Sequence, residues 1–525
     1  IMRSNSFRTI SFIWSIARAK YTPDMPLTSG IYKLSFKAKT DENSAARMLI
    51  RVRDEDNTVS DDLFMLGSDG CVKDVANNNA NVGIGINGLA MKLNTGSWHA
   101  VEMVIDMETD DVMCFVDSHG AYRTSLSGLS DISELLFAAN NANISIDDVE
   151  ISQISGNENY VEASQDGYVY NTNFSEFIDY RSNGANPGAL NFKNWNLQNA
   201  SWRGHVYGAK TDRGVSLKIA DTAEVTNYSK LINGYCGLPE TLSDGTYTIA
   251  FYLKAGEAMS VFKLQLSGED GKTTDVLQIN GDGCMGLPSG SELKCTPNEW
   301  NKIELVADLS SDTVTAFVNK ICIGSSTYSG DISRVWYNVE PKSFNGDIYV
   351  DDLSVYKDDA EYGPADTTGY IFNENFSEFV DYESNGTPEA QTFGQWQMGN
   401  AAWRGGVYGV KTDKGISMKM ADALNIVSPN QYNDAEYMLE SPITSGKYTI
   451  TLEEMYHGSV TAPLKIELKG TKAETGTSAE FVFDGNGYML GVVTDAPLLA
   501  AEQWNTIEIK LDMDARTAEI YVNGM

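Results

Sequence analysis

The chain sets Trp195, Trp202, Arg203 and Tyr207 within thirteen residues, and the quartet returns as Trp396, Trp403, Arg404 and Tyr408. Asp179 and Asn183 precede the first set, and Asp381 and Asn385 precede the second. Flat indole and phenol faces can stack on the apolar C–H face of a pyranose, while Arg, Asp and Asn bond its hydroxyls. A few directional polar groups among aromatics is how small-ligand sites are built. The bland alternative stays open at this level, because tryptophan is usually largely buried. Trp300 and Trp504, each opening an apolar alternation, are expected in the core.

Other chemistry is poorly supported. The four histidines, His99, His119, His205 and His457, have no histidine at the matching positions of the other copies described below. Surface or turn histidines are therefore expected. Glu304 and Asp308 share a strand face, but four residues at about 3.3 Å each put them roughly 13 Å apart. Glycoside hydrolysis needs about 5–5.5 Å for retention or about 6.5–9.5 Å for inversion. These acids, with Glu102 and Glu508, read as solvated face charges. No Ser-His-Asp order, phosphate loop, Cys-pair zinc spacing or dinucleotide fingerprint recurs. The expectation is no enzyme.

The elements that carry these residues are repeated. The stretch 167–180 returns at 369–382, a period of 202 residues, and Trp202-Arg203-Gly204 returns as Trp403-Arg404-Gly405. A period this long is a whole domain in tandem. Three landmarks recur: an alternating strand after a turn (from Ile31, Thr246 and Lys447), a Trp-led hairpin (from Trp98, Trp300 and Trp504) and a closing strand with Asp147-Asp148 or Asp351-Asp352. Apolar residues three, five and seven places after each Trp form the inward face. No segment holds helical periodicity. The reading is all-β: three tandem jelly-roll β-sandwich domains at 1–154, 167–356 and 369–525, with acidic linkers at 155–166 and 357–368. The first and last copies read as truncated.

Composition narrows the partners. Lys plus Arg number 39 against 72 Asp plus Glu, a net charge of -33, so a polyphosphate chain would be repelled. No apolar run is long enough to cross a bilayer. Cys71 and Cys284 are equivalent, but copy three has Tyr488 there and no cysteine at all. The domain therefore does not need disulfides, although a Cys284–Cys295 bridge stays open.

The run Trp-x-x-Ile/Val-Glu-x-x-x-Asp, a turn, Phe/Tyr-Val-Asn, then Ile/Val-Asp-Asp-Val/Leu resembles the concanavalin A-like lectin/glucanase superfamily, its laminin-G-like branch above all. The Asn173-Phe174 and Asn375-Phe376 openings are also similar to galactose-binding-type carbohydrate-binding modules. Both resemblances imply a jelly-roll and a sugar-binding role. Adjacent aspartates on a strand should point to opposite faces, and an inward carboxylate is costly unless paired or bound to a cation. Hard oxygen ligands suit Ca²⁺. In the related modules a structural calcium lies between first and last strands, which implies Asn173 and Asp351 here, with Asp147 as the counterpart in copy one; a buried Asp bonded to loop amides is the alternative. The expected function is non-catalytic, multivalent binding of polysaccharide or glycoconjugate glycans by a monomeric array, secreted or at the cell surface. The alternatives are structural or adhesive spacers without a sugar site, and an accessory part of a polysaccharide-degrading enzyme.

Overall fold

A computed structural model describes residues 17–23, 25–40, 47–82, 91–126, 128–140, 144–154, 158–179, 189–198, 204–221, 232–256, 261–279, 284–287, 292–294, 296–339, 347–360, 362, 365–377, 391–393, 395–399, 405–422, 434–456, 464–470, 478–484, 486–492 and 497–525. The described chain is built of antiparallel strands, with two 3-10 turns and no α-helix. It divides into two compact units, 1–389 with 400–434, and 390–399 with 435–525.

In the first unit copies one and two are each built as a pair of facing sheets. In copy one, the sheet running through Ala17–Tyr21, Glu134–Asn140, Arg47–Arg53 and Phe64–Leu66 faces Ile144–Gln153, Ile31–Thr40, His99–Asp106, Asp111–Val116 and His119–Ser125. Alternation does this work: Leu34, Phe36, Ala38, Val101, Met103 and Ile105 point inward and are at most 2% exposed. Phe36 meets Phe64 and Phe137 of the opposite sheet edge-on, at 6.3 and 5.7 Å between ring centroids. Copy two repeats the plan, with Ile332–Val339 and Phe262–Ser267 facing Thr246–Ala255 and Asn301–Asp308.

The facing sheets of the two copies join. One 15-stranded sheet runs from the closing strand Ile144–Gln153 of copy one, through copy two, to the hairpin Gly405–Thr412/Gly415–Asp422 that opens copy three. The connector at 155–166 packs on copy one through Tyr160, which is 2% exposed against Val104, Met113 and Phe115.

The second unit is smaller. Lys447–Met455, Trp504–Asp512 and Thr517–Val522 form one sheet, Leu464–Lys469 pairs with Ser478–Phe483, and Phe483, Ile507 and Ile509 fill the core between them.

Two local features correct the strand reading. The Asp doublets do not alternate faces. Asp148 and Asp352 adopt φ of 52° and 48°, the register shifts there, and Asp147 and Asp351 each accept their neighbour's backbone N–H at 2.9 and 2.8 Å. The doublet is a β-bulge, and Asp tolerates the left-handed conformation because its side chain bonds locally. At the Asn-Phe openings, Phe174 and Phe376 hold φ of 59° and 58°, while Asn173 and Asn375 accept the N–H of Ser175 and Ser377. A bulky residue there is a genuine outlier. In copy two the turn drives Phe174, 0% exposed, into the core.

Candidate functional site

Trp195 lies in the core. Its indole is 1% exposed, stacks on Tyr337 at 5.8 Å, contacts Phe174 and Phe177, and donates Nε1–H to the Tyr170 hydroxyl at 3.1 Å. With both faces covered it has nothing to offer a sugar, which corrects the expectation for this residue. Trp396 is half-buried against Tyr437, 5.2 Å between centroids. Tyr408 is half-buried in Gly405–Thr412, with Lys419 Nζ 5.8 Å from its ring. Tyr207 lies in Gly204–Thr211, and Asp179 ends the 3-10 turn Ser175–Asp179. Trp202, Arg203, Asn183, Trp403, Arg404, Asp381 and Asn385 lie outside the described residues.

Among the described residues, the strand-opening tryptophans reach solvent at one register position in all three copies. Trp98 is 44% exposed, and Trp300 and Trp504 are half-buried. This overturns the expectation that Trp300 and Trp504 are core. The signal was in the pattern itself: with positions +3, +5 and +7 inward, position 0 shares the outward face with +4 and +8. The next residue points in and locks the hairpin. His99 is held by Asp117 (2.7 Å), Asn301 accepts from Asn319 (2.9 Å) and Asn505 accepts from Asn523 (3.0 Å). His99 is thus a buried structural residue.

Two of the rim indoles, Trp98 and Trp300, have a defined setting. Lys39 and Lys254, on the neighbouring strand, place Nζ 5.6 Å from the Trp98 and Trp300 ring centroids, within cation–π range. In copy two the setting is richer. Trp300 donates Nε1–H to Asp212 Oδ1 at 2.8 Å, a bond that, with the nearby cations and against burial, holds the Asp212 carboxyl below its usual range. The Arg213 guanidinium lies 3.7 Å over the Tyr252 ring and 5.7 Å from Trp300, and it pairs with Asp352. Behind it Asp351, 1% exposed, accepts from Ser216 Oγ at 2.9 Å and lies 3.4 Å from Arg213. Burial and the Asp352 charge push the Asp351 carboxyl up to about 8, outweighing Ser216 and Arg213.

These contacts test the calcium expectation. Both Asp351 oxygens are taken by protein donors and a guanidinium stands beside them, where it would repel a second cation. Asn173 spends its amide on the Val161 carbonyl at 2.6 Å and its oxygen on the Ser175 N–H. Asp147 is occupied by the bulge, and its neighbour Asp148 pairs with Lys37 at 2.8 Å. The donor set implied for calcium does not fit the ion, and no cluster of three or more His, Cys, Asp or Glu side chains that could hold a metal occurs among the described residues. Cys71, Cys114, Cys236 and Cys322 are buried and form no disulfide, and Cys295 lies outside the described residues.

The outward glutamates are also not simple solvated charges. Glu304 is 4% exposed; its carboxylate meets Lys302 at 3.1 Å and Lys411 at 3.5 Å. Glu102 meets Lys210 at 3.0 Å.

No known protein family matches the sequence, and no curated protein matches it significantly. Among solved structures, a sialidase aligns at TM-score 0.29 and 10% identity over 63% of this chain, which spans 37% of that protein. The tandem CBM22-1-CBM22-2 domains of Paenibacillus barcinonensis Xyn10C align at TM-score 0.21 and 12% identity, covering 67% of this chain and 98% of theirs. Lectin II from Ulex europaeus aligns at TM-score 0.23 and 9% identity, covering 32% and 95%. Scores this low lend no weight to a shared function.

Proposed function

We propose that this chain is a non-catalytic glycan-binding array of β-sandwich repeats, in which the rim tryptophans receive sugar rings. The observation that supports it is the recurrence of a solvent-reaching indole at one register position in all three copies, beside a lysine in two. Indole offers a flat apolar face, while Lys254 and Asp212 supply bonds to hydroxyls. A shallow rim of this kind binds one ring weakly. Tandem copies then gain affinity through effective concentration, which suits a polysaccharide or a dense glycoconjugate at a cell surface or outside the cell. Asp212 is engaged by an indole and Asp352 by a guanidinium, an arrangement that suits holding a sugar rather than cleaving it.

A second reading, a structural or adhesive spacer without a sugar site, is favoured by the outer sheet faces of copies one and two, which carry contacts between repeats. A glycan array probed with the full chain and with Trp98→Ala/Trp300→Ala/Trp504→Ala separates the readings. Glycan binding predicts signal with the intact chain, and each lost indole should weaken it by up to about tenfold. No signal above background selects the spacer. Equal signal from the triple variant moves the site elsewhere.

A further inference from the structure

In copies one and two the outer face of one sheet meets the hairpin of the repeat that follows, in the same way both times. At the first meeting, His119 pairs with Ala209, the Lys210 N–H donates to Ser118 O at 2.8 Å, and Lys210 Nζ reaches Glu102 at 3.0 Å. At the second, Ile321 pairs with Val410, the Lys411 N–H donates to Lys320 O at 2.8 Å, and Lys411 Nζ lies 3.5 Å from Glu304 and 3.2 Å from Asp358. Both lysines are nearly buried, at 11% and 9% side-chain exposure.

An aromatic lid recurs as well. Tyr160 of the connector lies edge-on to Phe115 at 6.2 Å, and Tyr362 lies edge-on to Phe317 at 6.2 Å. The docked hairpins bring Val215 and Ile416, at 0% and 3% exposure, from equivalent positions. At the first junction the connector passes so close that a Cβ on Gly214, which holds φ +111°, would lie 2.1 Å from Asn159 O. Cationic hairpin, anionic strand face and tyrosine lid have all been kept through duplication.

We infer that these junctions are recognition interfaces: the outer sheet face of each repeat captures the opening hairpin of its successor, and the Lys–Glu pair sets the register. A lysine this buried needs its carboxylate, so a mismatched neighbour would leave an unpaired charge in a closed interface. The partner of the face built on Glu102, Phe115 and the edge of His119–Ser125 is therefore a Lys-bearing hairpin of this same repeat, and no other part of the sandwich. Consequently copies one and two behave as one mechanical and thermal body. This does not rest on the glycan reading.

The full chain is tested as Lys210→Glu, as Glu102→Lys and as the charge-swapped double variant. Scanning calorimetry follows thermal coupling, and donor and acceptor dyes on copies one and two follow their separation. The wild-type chain should show one transition for the two copies and a single narrow distance distribution. Lys210→Glu should split that transition, lower its first part by at least about 4 °C and broaden the distances. The swap should restore both, which separates loss of recognition from loss of folding. Unchanged coupling in Lys210→Glu, or a swap that fails to restore it, would overturn the inference.

Discussion

Trp195 and Trp300 belong to the same repeat and lie in opposite settings. Trp195 sits among Phe174, Phe177 and Tyr337, with its one polar atom satisfied by Tyr170. Trp300 sits at the sandwich rim, half-buried, with charged groups as neighbours. Both are followed by alternating residues, so composition does not separate them. Parity does: Trp300 falls on the outward phase of its strand, whereas Trp195 pairs with Cys236 inside the second sheet. The lesson is that an aromatic's role follows from the phase of its strand more than from its size.

The contrast can be broken most forcefully at Trp195. Replacing it by alanine should cost about 3–5 kcal/mol in urea unfolding, because a ring-sized cavity opens in a packed aromatic cluster. A loss below about 1 kcal/mol would mean that the cluster is not the core.

Asp351 gives the next largest effect and lies between the two settings, buried yet beside the rim arginine. Its folded carboxyl titrates near 8 whereas an unfolded one titrates near 4, so between those values the folded chain holds a proton that the unfolded chain has released. Stability from this group is present at acid pH and falls as pH rises. Asp351→Asn removes that penalty, and its melting temperature should gain on wild type by at least about 2 °C between pH 5 and pH 8. A constant difference across that range would show that Arg213 keeps the carboxylate ionised.

The smallest effect sharpens the comparison at Trp300. Alanine there should change stability by less than about 1 kcal/mol, as for other surface positions. A cost approaching that of Trp195→Ala would make the rim tryptophan part of the packing and remove the basis of the sugar reading.

Much of the frame was legible. The landmarks from Ile31, Thr246 and Lys447 and the Trp-led hairpins follow the period-two pattern, because a half-buried sheet imposes it along the strand, whereas the closing strands break it at the Asp bulge. The site was less so. Strict alternation sends the two aspartates of each doublet to opposite faces, and one residue in the left-handed region cancels it. Trp195 lies in the core because its strand pairs inside the second sheet, a placement that spacing along the chain does not encode.

The 202-residue duplication, the all-β character and the inward stripe of each strand were determined by the amino-acid order alone, since local alternation and self-similarity are properties of the chain. Which face of each sheet meets a neighbour was decided only in three dimensions. Glu102 and Glu304 occupy outward positions that alternation assigns to water, and only the arrival of Lys210 and Lys411, about a hundred residues further along, turns them into ion-pair partners, half-buried at Glu102 and buried at Glu304. Pairing across such a distance depends on how the sheets are placed, and no local pattern encodes it.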